Sequence, residues 1–167
     1  MPLNLATRVG DDTIAKMEAA ARRRYAEAKR LVADEPLGAI YLFGYTVEIR
    51  LKTAYFRVAR IPSNSPLANA RASAEALIRS FPGRAARPAG HDIRGWARLV
   101  GDARATTPGS TPLAAGDLVR MNGHAQTVAE CWTEILRYRA NRPYNEELAA
   151  VLTAARWFKH NYSRLWN

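Results

Sequence analysis

Three groups of polar side chains have residue types and spacings that a functional site could use. Tyr41, Tyr45, Glu48, Lys52 and Tyr55 recur at helical intervals, which places a carboxylate and an ammonium one turn apart beside a row of phenols. Exposed, the Glu48–Lys52 pair would contribute only about 0.2–0.5 kcal/mol. It reads either as a structural ion pair among the tyrosines or, together with Tyr45, His91 and Asp92, as a polar cluster lining a cleft between helices, where bundles place ligands. His91 and Asp92 precede an apolar stretch beginning at Ile93. Asp92 there reads as a helix cap worth about 1 kcal/mol, with His91 bonding nearby backbone. Arg156 and His160 stand four apart in a third group and would face the same way on a helix. Histidine moves protons near neutral pH and arginine pairs phosphate oxygens bidentately, so the two suit phosphodiester chemistry, or simply decorate a basic outer face.

Several other chemistries lack their signatures. The three histidines and the single cysteine, Cys131, show no zinc-ligand spacing, and no HExxH or CxxC occurs. Neither a GxxxxGK[ST] nor a GxGxxG phosphate loop is present, nor a GxSxG elbow. No cofactor and no metal are therefore expected. The net charge of +10 asks for an acidic partner such as nucleic acid. Only four of the 25 basic residues are lysines, however, and an Ala/Arg bias of this kind also follows from a GC-rich genome.

The elements that position these residues are all helical. Ile40, Gly44, Val47, Leu51, Ala54 and Val58 form an apolar seam at alternating steps of four and three, which predicts a long central helix within residues 38–60. Gly44 inside it costs about 1 kcal/mol relative to alanine and implies a reason such as close backbone approach. The spacing predicts a first helix capped by Asp11 or Asp12 and running to about Ala33, with Ile14, Met17, Ala21, Tyr25, Ala28 and Leu31 inward. Asp34-Glu35-Pro36 ends it and starts the next. Later helices are expected over residues 67–80, anchored by Leu77 and Ile78, and over 92–104, burying Ile93, Trp96, Leu99 and Val100. A long seam of Leu118, Met121, Ala125, Val128, Trp132 and Ile135 ends near Tyr138, with a break offered by Asn122-Gly123. The last helix is capped by Asn145 and runs to about Leu165. The fold class is thus all-α, an up-and-down bundle of five to six helices, with a tail over 1–10 and a single domain over 11–167. No stretch has the length or apolarity of a membrane span or a signal peptide, and cysteine usage fits a cytoplasmic protein. Trp96 and Trp132 sit at core positions, whereas Trp157 and Trp166 suit exposed stacking or an interface as well as burial.

Three motifs taken in order resemble the HEPN-type helical domain. Gly44-Tyr45-Thr46-Val47-Glu48-Ile49-Arg50-Leu51-Lys52 is similar to its GYxxExxLK helix. Gly90-His91-Asp92-Ile93 is similar to its HD followed by a helix, and Arg137-Tyr138 to its RY before the last helix. The resemblance implies a bundle that dimerises and works in nucleotide binding, RNA cleavage or toxin–antitoxin partnership, often beside a nucleotidyltransferase. It also implies, for ribonuclease members, an Arg-(four to six residues)-His motif, in some of them with a tyrosine two positions later. Arg156, His160 and Tyr162 have those types, with three intervening residues. Arg84 and His91 have the family spacing across a Pro/Gly-rich loop. The expectation is a module associated with nucleic acid or a nucleotide. The alternatives are a metal-independent endoribonuclease using Arg156, His160 and Tyr162, and a scaffold whose basic surface docks an acidic protein.

Overall fold

The computed structural model describes residues 12–83, 87–138 and 142–167. The tail over 1–10, Asp11, Arg84 and the Arg137 side chain lie outside the described residues. Six α-helices and no strand appear among the described residues, so the chain is an all-α bundle. They are α1 (Ile14–Leu31), α2 (Pro36–Val58), α3 (Ala68–Ser80), α4 (Ile93–Thr106), α5 (Ala115–Cys131) and α6 (Asn145–Asn161). Short 3-10 turns follow or precede them at Ala89–His91, Glu134–Tyr138 and Tyr162–Leu165.

Helix α2 is the axis of the bundle. The whole seam from Ile40 to Val58 is buried, and so are Phe43, Thr46, Arg50, Thr53 and Phe56 on its other sides. This burial follows from its neighbours: α1, α4, α5 and α6 all pack against it. Such all-round burial is what a helix needs when it carries little amphipathic asymmetry of its own. Pro36 sits in its first turn, where the missing N–H costs nothing. Its end is a left-handed cap at Arg60 (φ 57°), with the Arg60 N–H donating to the Arg57 carbonyl at 2.9 Å and Ile61 N–H to the Phe56 carbonyl at 3.0 Å. Glycine usually occupies that position, so arginine there bears a backbone penalty on the order of 1 kcal/mol.

Gly44 is explained by Trp132. A Cβ built on Gly44 would lie 2.0 Å from the Trp132 Cδ1, because the indole packs against the glycine and donates from Nε1 to the Tyr41 carbonyl at 3.0 Å. That contact also decides where α5 stops. Trp132 adopts an extended backbone (φ −126°, ψ 137°) to deliver its ring to α2, so the helix ends at Cys131 and not near Tyr138. Ile135, expected in the seam, consequently falls beyond the helix and is 46% exposed. Asn122-Gly123 makes no break: burial of Met121, Ala125, Val128 and Ala129 on either side holds one continuous helix.

Four other expectations differ in detail. Thr13, not Asp11 or Asp12, caps α1, its Oγ1 accepting from the Lys16 N–H at 3.2 Å. Asp12 instead pairs with Arg71 at 3.4 Å. At α6 the cap position belongs to Tyr144, whose N–H donates to Glu147 Oε2 at 2.8 Å, and Asn145 is already helical. The α-helix stops at Asn161, the chain continuing to Leu165 as a 3-10 turn. On α3, Ile78 is buried but Leu77 is 48% exposed. Ile78 wins that place because Gly95 of α4 admits its Cγ2, where a Cβ would stand only 2.6 Å away.

Candidate functional site

The stripe Tyr45, Glu48, Lys52 lies on the α2 face turned toward α1 and the Ala89–His91 turn. Glu48 is 3% exposed and Lys52 7%, so this is a buried ion pair. Lys52 Nζ donates to Glu48 Oε1 at 2.6 Å, and the second carboxylate oxygen, Oε2, meets His91 Nδ1 at 2.9 Å. Two partners on one carboxylate offset a desolvation cost that a lone buried ion could not bear. The hydrogen bond to Glu48 raises the His91 pKa above its ordinary value, outweighing the burial that opposes it. His91 therefore holds its proton to higher pH than a free histidine, and with Nδ1 committed to Glu48 its Nε2 is the nitrogen left for a ligand.

Aromatic rings frame the triad. Tyr45 stands edge-on to His91 (6.2 Å) and to Trp132 (5.2 Å), and Lys52 Nζ lies 5.4 Å from the centre of the Trp96 ring. Trp96 is itself anchored by its Nε1–H donating to the Ala89 carbonyl at 3.1 Å, which fixes the turn that carries His91. Asp92, the next residue along, is buried. Its Oδ1 accepts from the Gly95 N–H at 3.0 Å and caps α4, so it positions His91 through the backbone. His91 turns its ring nitrogen to the Glu48 side chain and not to nearby backbone.

The triad forms the floor of an open cleft of about 610 Å³ between α1 and α2. Tyr45, Glu48, Lys52 and His91 line one side of it. Met17, Ala19 and Ala20 of α1 give the other side an apolar surface, and Lys16, Arg23 and Arg71 supply cations. The small alanines keep the cleft open, and with two carboxylates, Asp12 and Glu48, against five cationic side chains the walls are net positive when His91 is protonated.

The third group is divided by the structure. Arg156 and His160 are both exposed on α6, one turn apart. Tyr162 turns inward: its hydroxyl donates to Glu18 Oε1 at 2.6 Å, and its ring lies under the Arg50 guanidinium at 4.3 Å. Burial first, and then the bond to Glu18, push the Tyr162 pKa up to about 12. Arg57 Nε donates to the same Glu18 oxygen at 2.6 Å. Burial works to raise the Glu18 pKa, but the hydrogen bonds from Arg57 and Tyr162 prevail and hold the carboxyl below its ordinary value. Tyr162 thus belongs to a lock between α1, α2 and the chain after α6, apart from Arg156 and His160.

Sequence reasoning missed Glu18, Arg50 and Arg57 as one network, together with Lys16, Arg23 and Arg71 as the walls of the cleft. Arg50 and Arg57 are seven apart and so share a helix face, which is a legible signal. Nothing local in the sequence links either to Glu18 or Tyr162. No protein-family model, no curated protein and no solved structure matches this chain.

Proposed function

We propose that the protein is a helical module that binds RNA or a nucleotide in the α1–α2 cleft, with His91 as the cation held against the phosphate. The observation that carries this reading is the buried Glu48 carboxylate, which clamps Lys52 and His91 at the wall of a cleft that Lys16, Arg23 and Arg71 also line. A structural ion pair would need one cation; the second is a histidine whose remaining nitrogen is left for a ligand. Tyr45 offers a ring against which a base can stack, a contact worth about 1–3 kcal/mol per base. The excess of basic residues supports the same class of ligand, as does the resemblance of the α2 and His91-Asp92 motifs to HEPN-type domains.

The test is fluorescence anisotropy with a labelled single-stranded oligoribonucleotide in EDTA over a salt series. Binding should weaken with a slope of about 0.7 log units per phosphate contact per decade of salt. Arg23→Ala should reduce that slope by about one contact, and His91→Gln should raise Kd about tenfold. Unchanged affinity in both variants would overturn the reading. The same samples show whether RNA is cut. Loss of cleavage in His160→Ala would favour the second reading, an endoribonuclease, for which the exposed Arg156–His160 pair is the supporting feature.

A further inference from the structure

A second, smaller cavity of about 140 Å³ lies where α2 and α4 end and shares no lining residue with the cleft that holds His91. Arg57, Arg60 and Arg104 line it, with Ser110 and Thr111 from the following loop and Trp166 near the end of the chain. Two donors here are buried with no hydrogen-bond partner, Arg104 Nε and Trp166 Nε1. Arg104 as a whole is only 4% exposed. A buried donor left unsatisfied costs about 1–3 kcal/mol, more when it is charged, so two of them on residues of one cavity wall is an expensive arrangement. Both lack the same thing, an acceptor.

The rest of the wall is arranged to the same end. Arg57 is already paired with Glu18 and stacks over the Trp166 ring at 4.5 Å. Arg60 keeps its left-handed backbone and reaches across to donate from Nη2 to the Pro108 carbonyl at 2.6 Å. Gly109, itself at φ 71°, lets the loop close around that guanidinium, since a Cβ there would stand 2.6 Å from Arg60 Nη2. This loop brings Ser110 and Thr111 to the cavity. Arg104 stands in the last turn of α4, where the helix end favours a cation, but it makes no ion pair among the described residues. Burial alone drives its pKa below the usual guanidinium value. The group is held in place without the anion that would repay its desolvation.

We propose that this cavity binds a single phosphate group, neutralised by Arg104 and Arg60 beside the Ser110 and Thr111 positions. The size selects the ligand. Pockets that enclose a drug-sized molecule run to about 300–1,000 Å³, so 140 Å³ holds a phosphate group and leaves any attached nucleoside outside. The site is separate from the α1–α2 cleft and does not depend on what that cleft binds.

Isothermal titration of the full chain at constant ionic strength tests the assignment, with inorganic phosphate in one arm and adenosine 5′-monophosphate in the other. Wild type should bind phosphate with one-site stoichiometry, and Arg104→Gln should weaken it at least tenfold. Equal dependence on Arg104 in the nucleotide arm would identify the source as a terminal phosphate of a larger ligand, and binding in the inorganic arm alone would identify the free anion. If Arg104→Gln fails to fold, Ser110→Asp replaces it, because a carboxylate at the cavity should raise Tm and reduce phosphate binding by a similar factor. Three results would overturn the proposal: no binding by wild type, undiminished binding by the folded variant, or a loss caused by His91→Gln, which would move the phosphate to the other cleft.

Discussion

Helix α2 carries two carboxylate clusters on nearly opposite faces, and they put the same kinds of atoms to different use. Residues two positions apart lie about 200° round a helix, so Glu48 and Arg50 look away from each other. On one face Glu48 is held by Lys52 and His91 beside an open cleft. On the other, Glu18 of α1 is held by Arg57 and Tyr162, under a ring stacked by Arg50. The second cluster contains no group that titrates near neutral pH, because an arginine stays charged and Tyr162 is pushed up to about 12. It is a lock. The first contains a histidine whose charge can change within the physiological range, and it faces solvent-accessible space. Electrostatic pairing is common to both clusters; the partner that titrates and the space beside it make the Glu48 cluster the candidate site.

Four perturbations test this contrast. The largest effect is expected for Glu48→Ala, which leaves Lys52 buried without its partner and should cost about 3–5 kcal/mol in denaturant unfolding. A loss under 1 kcal/mol would mean that the pair is more hydrated than its burial implies. Gly44→Ala should cost about 1–3 kcal/mol by forcing Trp132 off α2, and the displaced indole should show as a red-shifted fluorescence. If stability and emission stay as in wild type, Trp132 does not rest on Gly44. Tyr162→Phe removes one of the two donors to Glu18 and should cost about 1–2 kcal/mol, leaving RNA binding unchanged. A drop in RNA affinity with that variant would place the lock within the functional site.

The smallest effect has opposite signs on the two faces. His91 has a raised pKa in the folded state, so its contribution is fully present below the ordinary 6.5 and is lost as pH rises through the higher folded value. The stability gap between wild type and His91→Gln should therefore narrow as pH rises above the ordinary 6.5 and through the higher folded value. Glu18 has a depressed pKa, so its contribution is present above the ordinary 4.5 and disappears as pH falls through the lower folded value. The gap between wild type and Glu18→Gln should close only in acid. Parallel pH profiles for the two variants would show that both clusters are simple locks.

Much of this molecule was legible from spacing alone. The α2 seam, the inward faces of α1 and α4, and the Asp92 cap follow from helical periodicity and local capping, which act over four residues or fewer and are written into the chain. The same holds for the Glu48–Lys52 pair, whereas the close backbone approach expected at Gly44 is instead the Trp132 side chain. The end of α5 was not legible, because Trp132 leaves the helix to reach a glycine about 90 residues earlier, and no local rule contains that partner. Nor was the division of Arg156 and His160 from Tyr162. All three lie within one turn or two of each other, but Tyr162 is claimed by Glu18 across 144 residues. The orphan donors Arg104 and Trp166 are likewise a product of three chain segments meeting. Sequence determined which faces of each helix avoid water, since that is a matter of residue type and period. Tertiary structure alone decided which buried charges found partners, since a partner is a position in space and the chain must close before it exists.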